Sequence, residues 1–315
     1  MTVHTWVVGA SGMLGKAVGR SVAARAGWRV SSSPAMRWSD SAAFDAATTT
    51  GIDELLGAAH DPSDRWVIIW VAGRAVTSAT SDDVASELSQ FGRFLHLVSE
   101  RLTSADAARG SFFFASSAGG VYAGSTAPPF TEHSVTSPLA PYGRFKVQAE
   151  DLLRTWSARE GVRAAVGRIA NLYGPGQRLD KMQGLISHLA LAQLTPRAAS
   201  VYVSLDTLRD YIFVDDAADL LLDTIERQMS ESERFVVKII ASGRAVTIAD
   251  LLGYFRTISK GHPHVMLGTN AAASLQAVDL RLRSVIWPEL DARQLTPLPV
   301  GIHRTLEGIR LGLQR

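Results

Sequence analysis

A glycine-rich turn within the first fifteen residues constrains the fold of this chain more than any other feature. A short β-rich run over residues 5–8 leads into Gly9-Ala10-Ser11-Gly12-Met13-Leu14-Gly15, and an amphipathic segment over residues 13–26 follows. Glycine serves where φ is positive or where a ligand approaches the backbone closely. A helix N-terminus offers N–H groups and a favourable dipole to an anion. The junction therefore predicts a phosphate-binding turn, although its G-x-x-G-x-x-G spacing also suits a tight turn without a ligand.

Short apolar runs alternate with longer amphipathic segments along the chain. Strands are predicted over residues 5–8, 28–30, 66–71, 111–115, 164–169 and 235–240, and helices over 13–26, 84–102, 142–156, 214–229, 248–259 and 300–313. Asp215 or Asp216 is the predicted N-cap of the helix over 214–229. This alternation predicts an α/β fold with a Rossmann-type doubly wound parallel sheet. We place the dinucleotide-binding domain at 1–173 and 213–241, and a smaller mixed α/β substrate domain at 174–212 and 242–315.

Composition excludes several classes of protein. The 32 basic residues nearly balance the 30 acidic ones, which argues against a nucleic-acid polymer as partner. The chain has no cysteine, so disulfides, thiolate metal sites and cysteine nucleophiles are excluded. The apolar run over residues 66–72 is too short to span a bilayer, and the N-terminus lacks the basic start of a signal peptide. We therefore expect a cytoplasmic protein with no membrane partner.

The end of the second predicted strand bears on the choice of dinucleotide. An acidic residue about 20 residues beyond the turn ordinarily holds the ribose hydroxyls of NAD. Here the sequence reads Val30-Ser31-Ser32, and Arg37 follows as a possible partner for a 2′-phosphate. This favours NADP over NAD, with a solvated Arg37, or Asp40 folding back as the ribose ligand, as the alternatives.

A serine, a tyrosine and a lysine together suit proton transfer. Ser116 and Ser117 follow the buried strand over 111–115, and Tyr142 and Lys146 stand four residues apart, on one face of a predicted helix. A free phenol is a poor base at pH 7, but a nearby ammonium lowers its pKa. A serine hydroxyl can hold the substrate oxygen that gains or loses the proton. The alternative is an ordinary amphipathic helix. Because the chain has only five lysines, the Tyr-Lys spacing is a more selective signal.

With these motifs in this order, the chain resembles an extended short-chain dehydrogenase/reductase of the NAD-dependent epimerase/dehydratase family, of the nucleotide-sugar 4-epimerase or 4-ketoreductase type. The resemblance covers essentially the whole length. It rests on the glycine turn, on Ala72-Gly73 after the expected fourth strand, and on Ser116-Ser117 and Tyr142/Lys146. Two longer motifs are more specific: Arg168-Ile169-Ala170-Asn171-Leu172-Tyr173-Gly174-Pro175-Gly176-Gln177 and Arg209-Asp210-Tyr211-Ile212-Phe213-Val214-Asp215-Asp216. The resemblance implies a nucleotide-sugar substrate and a homodimer paired through the helix that carries Tyr142.

The resemblance also implies roles for individual residues. The catalytic set is Ser117, Tyr142 and Lys146. The cofactor-binding set is Gly9, Ser11, Gly12, Met13, Leu14, Gly15, Ser31, Arg37, Val71, Ala72, Gly73, Lys146 and Ile169. The substrate-binding set is Ser117, Asn171, Gln177 and Arg209, with the Arg209 guanidinium on the diphosphate. No metal is expected, although His262-Pro263-His264 leaves a metal site as an alternative.

The chain departs from the family pattern at a few positions. Ala118 stands where the catalytic hydroxyl normally lies, and the extra glycine in Gly119-Gly120 shifts that role to Ser117, with Ser116 as the fallback. The stretch Glu87-Leu88-Ser89-Gln90 replaces a frequent asparagine, and Phe145 replaces a small residue.

These departures narrow the reaction. The 4,6-dehydratases carry Asp-Glu after the hydroxyl residue, and the combined epimerase-reductases use a cysteine; this chain has neither. A C4 epimerase, suggested by Ala72-Gly73-Arg74-Ala75-Val76, and a one-way NADPH-dependent 4-ketoreductase remain, with a slight preference for the epimerase. A non-catalytic dinucleotide-binding regulator is a third possibility, because a fold does not fix a function.

Overall fold

The computed structural model describes residues 1–32, 34–73, 79–179, 184–259, 264–268 and 276–314. In chain order its elements are β1 (Val3–Val8), α1 (Met13–Ala24), β2 (Trp28–Val30), α2 (Ser41–Ala58), β3 (Arg65–Trp70), α3 (Ser81–Ser99), α4 (Ser104–Arg109), β4 (Gly110–Ser117), α5 (Ala118–Val121), α6 (Pro141–Glu160), β5 (Arg163–Ile169), β6 (Asn171–Tyr173), α7 (Leu185–Leu194), β7 (Ala199–Val201), β8 (Leu208–Phe213), α8 (Val214–Met229), β9 (Phe235–Ile240), β10 (Ala245–Thr247), α9 (Ile248–Ser259), β11 (Val265–Leu267), β12 (Asp279–Leu280), α10 (Pro288–Asp291) and α11 (Leu298–Leu313).

A six-stranded parallel sheet in the order β2-β1-β3-β4-β5-β9 forms the centre of the fold. The chain runs from β1 outward to β2 and then returns to β3 on the other side of β1, so the strand order reverses between β1 and β3. Ligands of doubly wound sheets bind in the crevice outside the carboxyl ends of the strands at such a reversal. The predicted Rossmann-type sheet is confirmed, and it places the glycine turn after β1 at this crevice.

Both faces of the sheet are covered, which explains why its strands read as continuous apolar runs. In β3, Trp66, Ile68 and Trp70 pack on the side of α2, α3 and α6, and Val67 and Ile69 pack on the side of α1 and α8. Successive side chains of a strand point to opposite faces, so both sets are buried at once.

The count of strands before residue 66 is corrected by the structure. We expected residues 66–71 to form the fourth strand, but they belong to the third, β3, and α2 occupies Ser41–Ala58 where no element was predicted. The Ala- and Thr-rich sequence of α2, with Gly51 inside it, has weak helix propensity. Tertiary packing stabilises it: a Cβ at Gly51 would lie 2.5 Å from the Trp6 ring, so the helix fits closely against β1.

Two smaller sheets are separate from the central sheet. Strand β8 pairs with β10, β12 and β6, and β7 pairs with β11. Helices α7, α9 and α11 pack on a separate apolar cluster whose members include Tyr173, Leu189, Phe255 and Ile302. The sequence indicated α9 and α11 but neither α7 nor these short strands. The division into 1–173 with 213–241 and 174–212 with 242–315 stays a prediction. None of the described helices is both long and apolar enough to cross a membrane.

The predicted N-cap of α8 is wrong. Phe213 precedes the helix without a side-chain cap, and both aspartates lie in its first turn. Asp215 forms an ion pair with Arg20 at 2.5 Å, and Asp216 accepts a hydrogen bond from the Thr296 backbone N–H at 2.7 Å. Their carboxylates therefore connect α8 to α1 and to the segment before α11.

Candidate active site

One cleft of about 1260 Å³ runs along the carboxyl ends of the central strands. It extends from the glycine turn after β1, past the ends of β3, β4 and β5, to β7 and β8. The predicted catalytic and substrate-binding residues line it, together with most of the predicted cofactor-binding residues. Its position at the strand-order reversal is the one that doubly wound folds use for dinucleotides.

The glycine turn has the geometry of a phosphate cradle. Gly9 has φ +97°, and a Cβ there would lie 2.6 Å from the backbone nitrogen of Ala72. Gly12 precedes α1 and offers no side-chain cap, so the N–H groups of the first helical turn have no partner within the helix. These groups open on the cleft beside Ser11 and Met13. Because a helix N-terminus favours anions, the turn fits the pyrophosphate of a dinucleotide.

Tyr142 and Lys146 lie on successive turns of α6 and both face the cleft. Lys146 is buried, and its Nζ donates a hydrogen bond to the Ala115 carbonyl oxygen at 2.9 Å. The same Nζ lies 5.7 Å from the centre of the Tyr142 ring and 4.8 Å from that of Phe114. The ammonium is therefore fixed beside the phenol by a backbone acceptor and by aromatic contacts.

The departure at Ala118 and Gly119-Gly120 has a structural explanation. Ser117 precedes the short helix α5, and its Oγ accepts a hydrogen bond from the Gly120 backbone N–H at 3.2 Å. A Cβ at Gly120 would lie 3.2 Å from the Tyr142 ring, so glycine there lets the ring approach. Ser117 is thereby held next to Tyr142. The fallback residue, Ser116, instead donates its hydroxyl to Glu150 Oε1 at 2.5 Å.

Burial perturbs both titratable groups of this pair. Removal from water raises the pKa of Tyr142 to about 12, and the Ser117 hydroxyl opposes this rise. Burial lowers the pKa of Lys146 to about 8, and the negative charges of Glu87 and Glu150 oppose this fall. The charge of Glu87 also disfavours the Tyr142 phenolate. The phenol is thus neutral and the lysine mostly protonated at pH 7.

The remaining predicted substrate-binding residues also line the cleft. Arg209 is buried on β8, and its Nη2 donates to Gln276 Oε1 at 3.3 Å. Burial lowers the pKa of the Arg209 guanidinium. Asn171 donates its Nδ2 to the Asp210 carbonyl at 3.0 Å, and Gln177 Oε1 accepts from the Ser187 hydroxyl at 3.2 Å. The cleft lining therefore includes a buried cation and polar amides in addition to Tyr142.

Three of the predicted cofactor residues are not among those that line the cleft: Gly15, Ser31 and Arg37. A Cβ at Gly15 would lie 2.2 Å from the Gly9 carbonyl oxygen, so its glycine serves the packing of the turn. The backbone N–H of Ser31 donates a hydrogen bond to the Thr5 carbonyl oxygen, and Arg37 is exposed on the loop before α2. Asp40 caps α2 by accepting from the Ala43 backbone N–H at 3.0 Å, so its carboxylate has a structural use.

Sequence reasoning missed several cleft residues. Trp38 packs edge-on against Trp70 with ring centres 5.7 Å apart, and its carbonyl accepts from Gln90 Nε2 at 2.5 Å. Gln90 and Glu87 of α3 also line the cleft. The one sequence signal was the departure at residues 87–90, which marked this helix as unusual. Residues 74–76 and 262 lie outside the described residues, so the epimerase-like segment and the metal alternative stay predictions.

Comparison with known proteins identifies the class. The model of the NAD dependent epimerase/dehydratase family matches residues 5–237. Over 125 residues the chain is 29% identical to a dTDP-L-rhamnose 4-epimerase of Burkholderia thailandensis, covering 39% of this chain and 34% of that protein. Over 139 residues it is 32% identical to a dTDP-4-dehydro-6-deoxyglucose reductase of Escherichia coli, covering 44% and 42%. The matches thus span about a third to two-fifths of these relatives.

Solved structures share the fold along nearly the whole chain. A UDP-glucose 4-epimerase of Thermotoga maritima, determined with UDP-glucose, has a TM-score of 0.77 at 19% identity, covering 98% of this chain and 99% of that one. RMD of Pseudomonas aeruginosa, determined with NADPH, has a TM-score of 0.77 at 22% identity, covering 97% and 98%. At these identities the likeness shows a common fold.

Proposed function

We propose, since this chain belongs to the NAD-dependent epimerase/dehydratase family, that it performs oxidoreduction at C4 of a nucleotide sugar, as a C4 epimerase. The observation that carries this proposal is the arrangement of one cleft. Ser117, Tyr142 and Lys146 line the same cleft as the glycine turn and the buried Arg209. A dinucleotide at the turn and a sugar diphosphate at Arg209 would therefore meet at Tyr142.

Tyr142 moves the proton in this scheme. It takes the proton of the sugar O4 hydroxyl during oxidation and returns it during reduction. The Lys146 ammonium beside the ring favours the phenolate that oxidation requires. Ser117 holds the sugar oxygen close to the phenol, and Arg209 binds the diphosphate through charge-assisted hydrogen bonds.

The glycine turn and Lys146 would hold the dinucleotide. The N–H groups at the start of α1 bind its pyrophosphate, and Val71, Ala72 and Ile169 line the adjoining apolar wall. When bound, the nicotinamide supplies the acceptor and donor of a hydride. NADP is favoured over NAD because no carboxylate stands directly after β2, at Ser31-Ser32; such a group would repel a 2′-phosphate.

A one-way NADPH-dependent 4-ketoreductase is the second candidate. Burial and the negative charge of Glu87 both keep Tyr142 protonated, with its pKa raised to about 12. A neutral phenol is suited to donating a proton to a sugar carbonyl as reduction proceeds. The match to a dTDP-4-dehydro-6-deoxyglucose reductase supports this reading.

Identification of the retained cofactor tests both candidates. The purified protein is denatured, and any released dinucleotide is identified by mass spectrometry. Tightly retained NAD(H) or NADP(H), with C4 epimers formed from a nucleotide sugar, supports the epimerase. An empty protein that oxidises NADPH with a nucleoside-diphosphate 4-ketosugar supports the reductase. A protein that neither binds a dinucleotide nor turns over these sugars contradicts the proposal.

A homodimer paired through α6 is part of the proposal that the family resemblance suggests. Among the described residues, no exposed large apolar side chain lies on α6 or on its neighbour α3. The apolar side chains available for pairing there are the half-buried Leu88 of α3 and Val147 and Leu152 of α6. Light scattering should give the mass of a dimer at micromolar concentration, and a monomer at that concentration would contradict the proposal.

A further inference from the structure

The carboxyl end of β4 is connected to three successive turns of α6. Tyr142, Lys146 and Glu150 follow one another at four-residue spacing and so share one face of the helix. Each meets one of three consecutive residues of β4. Lys146 Nζ donates to the Ala115 carbonyl oxygen, Glu150 Oε1 accepts from the Ser116 hydroxyl, and Tyr142 lies beside Ser117. The first two contacts fix the two residues of β4 that precede Ser117, which lies beside the proposed reacting group, the Tyr142 phenol.

Glu150 is almost fully buried, at 2% exposure, and is held in place by Arg168 of β5. The Arg168 guanidinium donates to both carboxylate oxygens, from Nη2 at 2.6 Å and from Nε at 3.2 Å. Its Nη1 donates to the Tyr122 hydroxyl at 2.7 Å, and that hydroxyl donates to the Thr131 carbonyl. Every charged group in this network thus has partners with good geometry.

A buried ion pair of this kind is weak evidence for stability. Taking both charges out of water costs about as much as their attraction returns, so apolar residues could replace them without loss. The role of this ion pair is indicated by Ser116, the third residue that bonds to it. Ser116 is adjacent to Ser117, and the Glu150 carboxylate holds the Ser116 hydroxyl at 2.5 Å. The pair therefore determines where the end of β4 lies relative to α6.

We propose that Glu150 is a positioning residue of the reaction: fixed by Arg168, it anchors Ser116 and thereby sets the Ser117 hydroxyl against the Tyr142 phenol. The inference rests on the proposed function, in which Ser117 and Tyr142 act together on the sugar oxygen. Glu150 itself lies on the buried side of Ser116 and contacts neither substrate nor cofactor in this scheme.

Ser116→Ala removes this contact; because Ser116 also lines the cleft, a second variant that changes Glu150 separates the contact from a direct role of Ser116. Ser116→Ala removes one hydrogen bond and leaves the pair of Glu150 and Arg168 intact, whereas Glu150→Gln alone would leave a buried guanidinium uncompensated and risk misfolding. Ser157→Ala is its matched control. Ser157 also lies on α6, is 1% exposed, and donates its hydroxyl to the Val162 carbonyl at 2.6 Å. Both variants lose one buried serine hydroxyl, but only one loses a link to the site.

The kinetic readout separates positioning from general weakening. For conversion of a nucleotide sugar to its C4 epimer, Ser116→Ala should lower kcat by about tenfold or more, since small misplacements of reacting groups cost this much. KM for the sugar and Kd for the dinucleotide should stay unchanged, and Ser157→Ala should keep the kcat of the unmodified protein. The double variant Glu150→Leu/Arg168→Met, which removes the buried charges together with the acceptor of the Ser116 hydroxyl, should fold and also show the lowered kcat.

A spectroscopic readout decides the inference without turnover. The chain has six tyrosines, so labelling with ¹³Cζ-tyrosine gives few resonances, and Tyr142→Phe assigns that of Tyr142. The Cζ shift reports hydrogen bonding of the phenol. Ser116→Ala should move the Tyr142 resonance and Ser157→Ala should not. An unmoved resonance and an unchanged kcat in Ser116→Ala would overturn the positioning role, while turnover by the unmodified protein would leave the proposed function standing.

Discussion

Replacing Lys146 by methionine should stabilise the folded chain at neutral pH while abolishing turnover. Lys146 is 6% exposed, and burial lowers the pKa of its ammonium group from 10.5 to about 8. At about 1.4 kcal/mol per pKa unit, keeping it charged inside the protein costs about 3 kcal/mol at pH 7. The variant loses the hydrogen bond to Ala115, which destabilises it by about 1 kcal/mol. We therefore expect its free energy of unfolding to exceed that of the unmodified protein by about 2 kcal/mol.

The gain should depend on pH with a definite sign. Because the folded-state pKa of Lys146 is depressed, the cost is fully present below about pH 8. Between about pH 8 and 10.5 the unfolded chain binds more protons at this residue than the folded chain does, so the stability of the unmodified protein rises with pH. The advantage of Lys146→Met should therefore shrink through this range, and above it the lost hydrogen bond to Ala115 should leave the variant about 1 kcal/mol less stable than the unmodified protein.

A second buried lysine supplies the control. Lys238 is fully buried, and its Nζ donates to Asp291 Oδ2 at 2.8 Å and to the Ser284 hydroxyl at 2.9 Å. Lys238→Met leaves the Asp291 carboxylate without its ion pair and should destabilise the chain by about 3 kcal/mol. Urea unfolding of both variants at pH 7 and pH 10 measures the contrast. If Lys146→Met were less stable than the unmodified protein at pH 7, the assignment of a burial cost to this lysine would be wrong.

Three further predictions concern the cleft. Gly9→Ala should destabilise the fold by about 2–4 kcal/mol because of its positive φ and the clash with Ala72, whereas Gly12→Ala should cost about 1 kcal/mol or less yet weaken dinucleotide binding; urea unfolding and calorimetric titration separate the two, and tight binding by Gly12→Ala would contradict the phosphate cradle. Glu87→Gln removes a charge that raises the pKa of Tyr142. The pH profile of sugar oxidation should therefore shift to lower pH, and an unshifted profile would refute this prediction. Trp38→Ala should weaken binding of 5′-AMP, since Trp38 lies in the segment after β2 and lines the cleft. Fluorescence titration measures the affinity, and an unchanged affinity would contradict this prediction.

Local sequence patterns predicted the central sheet well because both of its faces are buried. The bounds of β2, α8, β9 and α9 agree with those predicted from the sequence. The helix α2 was missed because its Ala- and Thr-rich sequence carries little amphipathic pattern, and contact with Trp6 decides its conformation. The short strands around β8 are held by long-range pairing that no local signal announces.

Part of the candidate site could likewise be predicted from the sequence and part could not. Residues of the turn and of the strand ends, such as Gly12, Ser117 and Asn171, line the cleft because parallel strands bring their carboxyl ends together. Trp38 lies in a loop and Glu87 on a predicted helix, α3. The sequence does not show which residues of either segment face the cleft. Arg168 could have been noticed as a charge inside a buried strand, which requires a partner; the partner, Glu150, stands four residues beyond Lys146.

Single-turnover oxidation of a nucleotide sugar tests most directly the claim that Tyr142 moves a proton while a hydride leaves C4. The protein is loaded with NAD or NADP, mixed rapidly with the sugar substrate, and followed by the absorbance of the reduced nicotinamide. Tyr142→Phe should lower the rate by about 10²–10⁴-fold, while calorimetry shows the same dinucleotide affinity as for the unmodified protein. A Tyr142→Phe variant that reduces its dinucleotide at the rate of the unmodified protein would contradict the account.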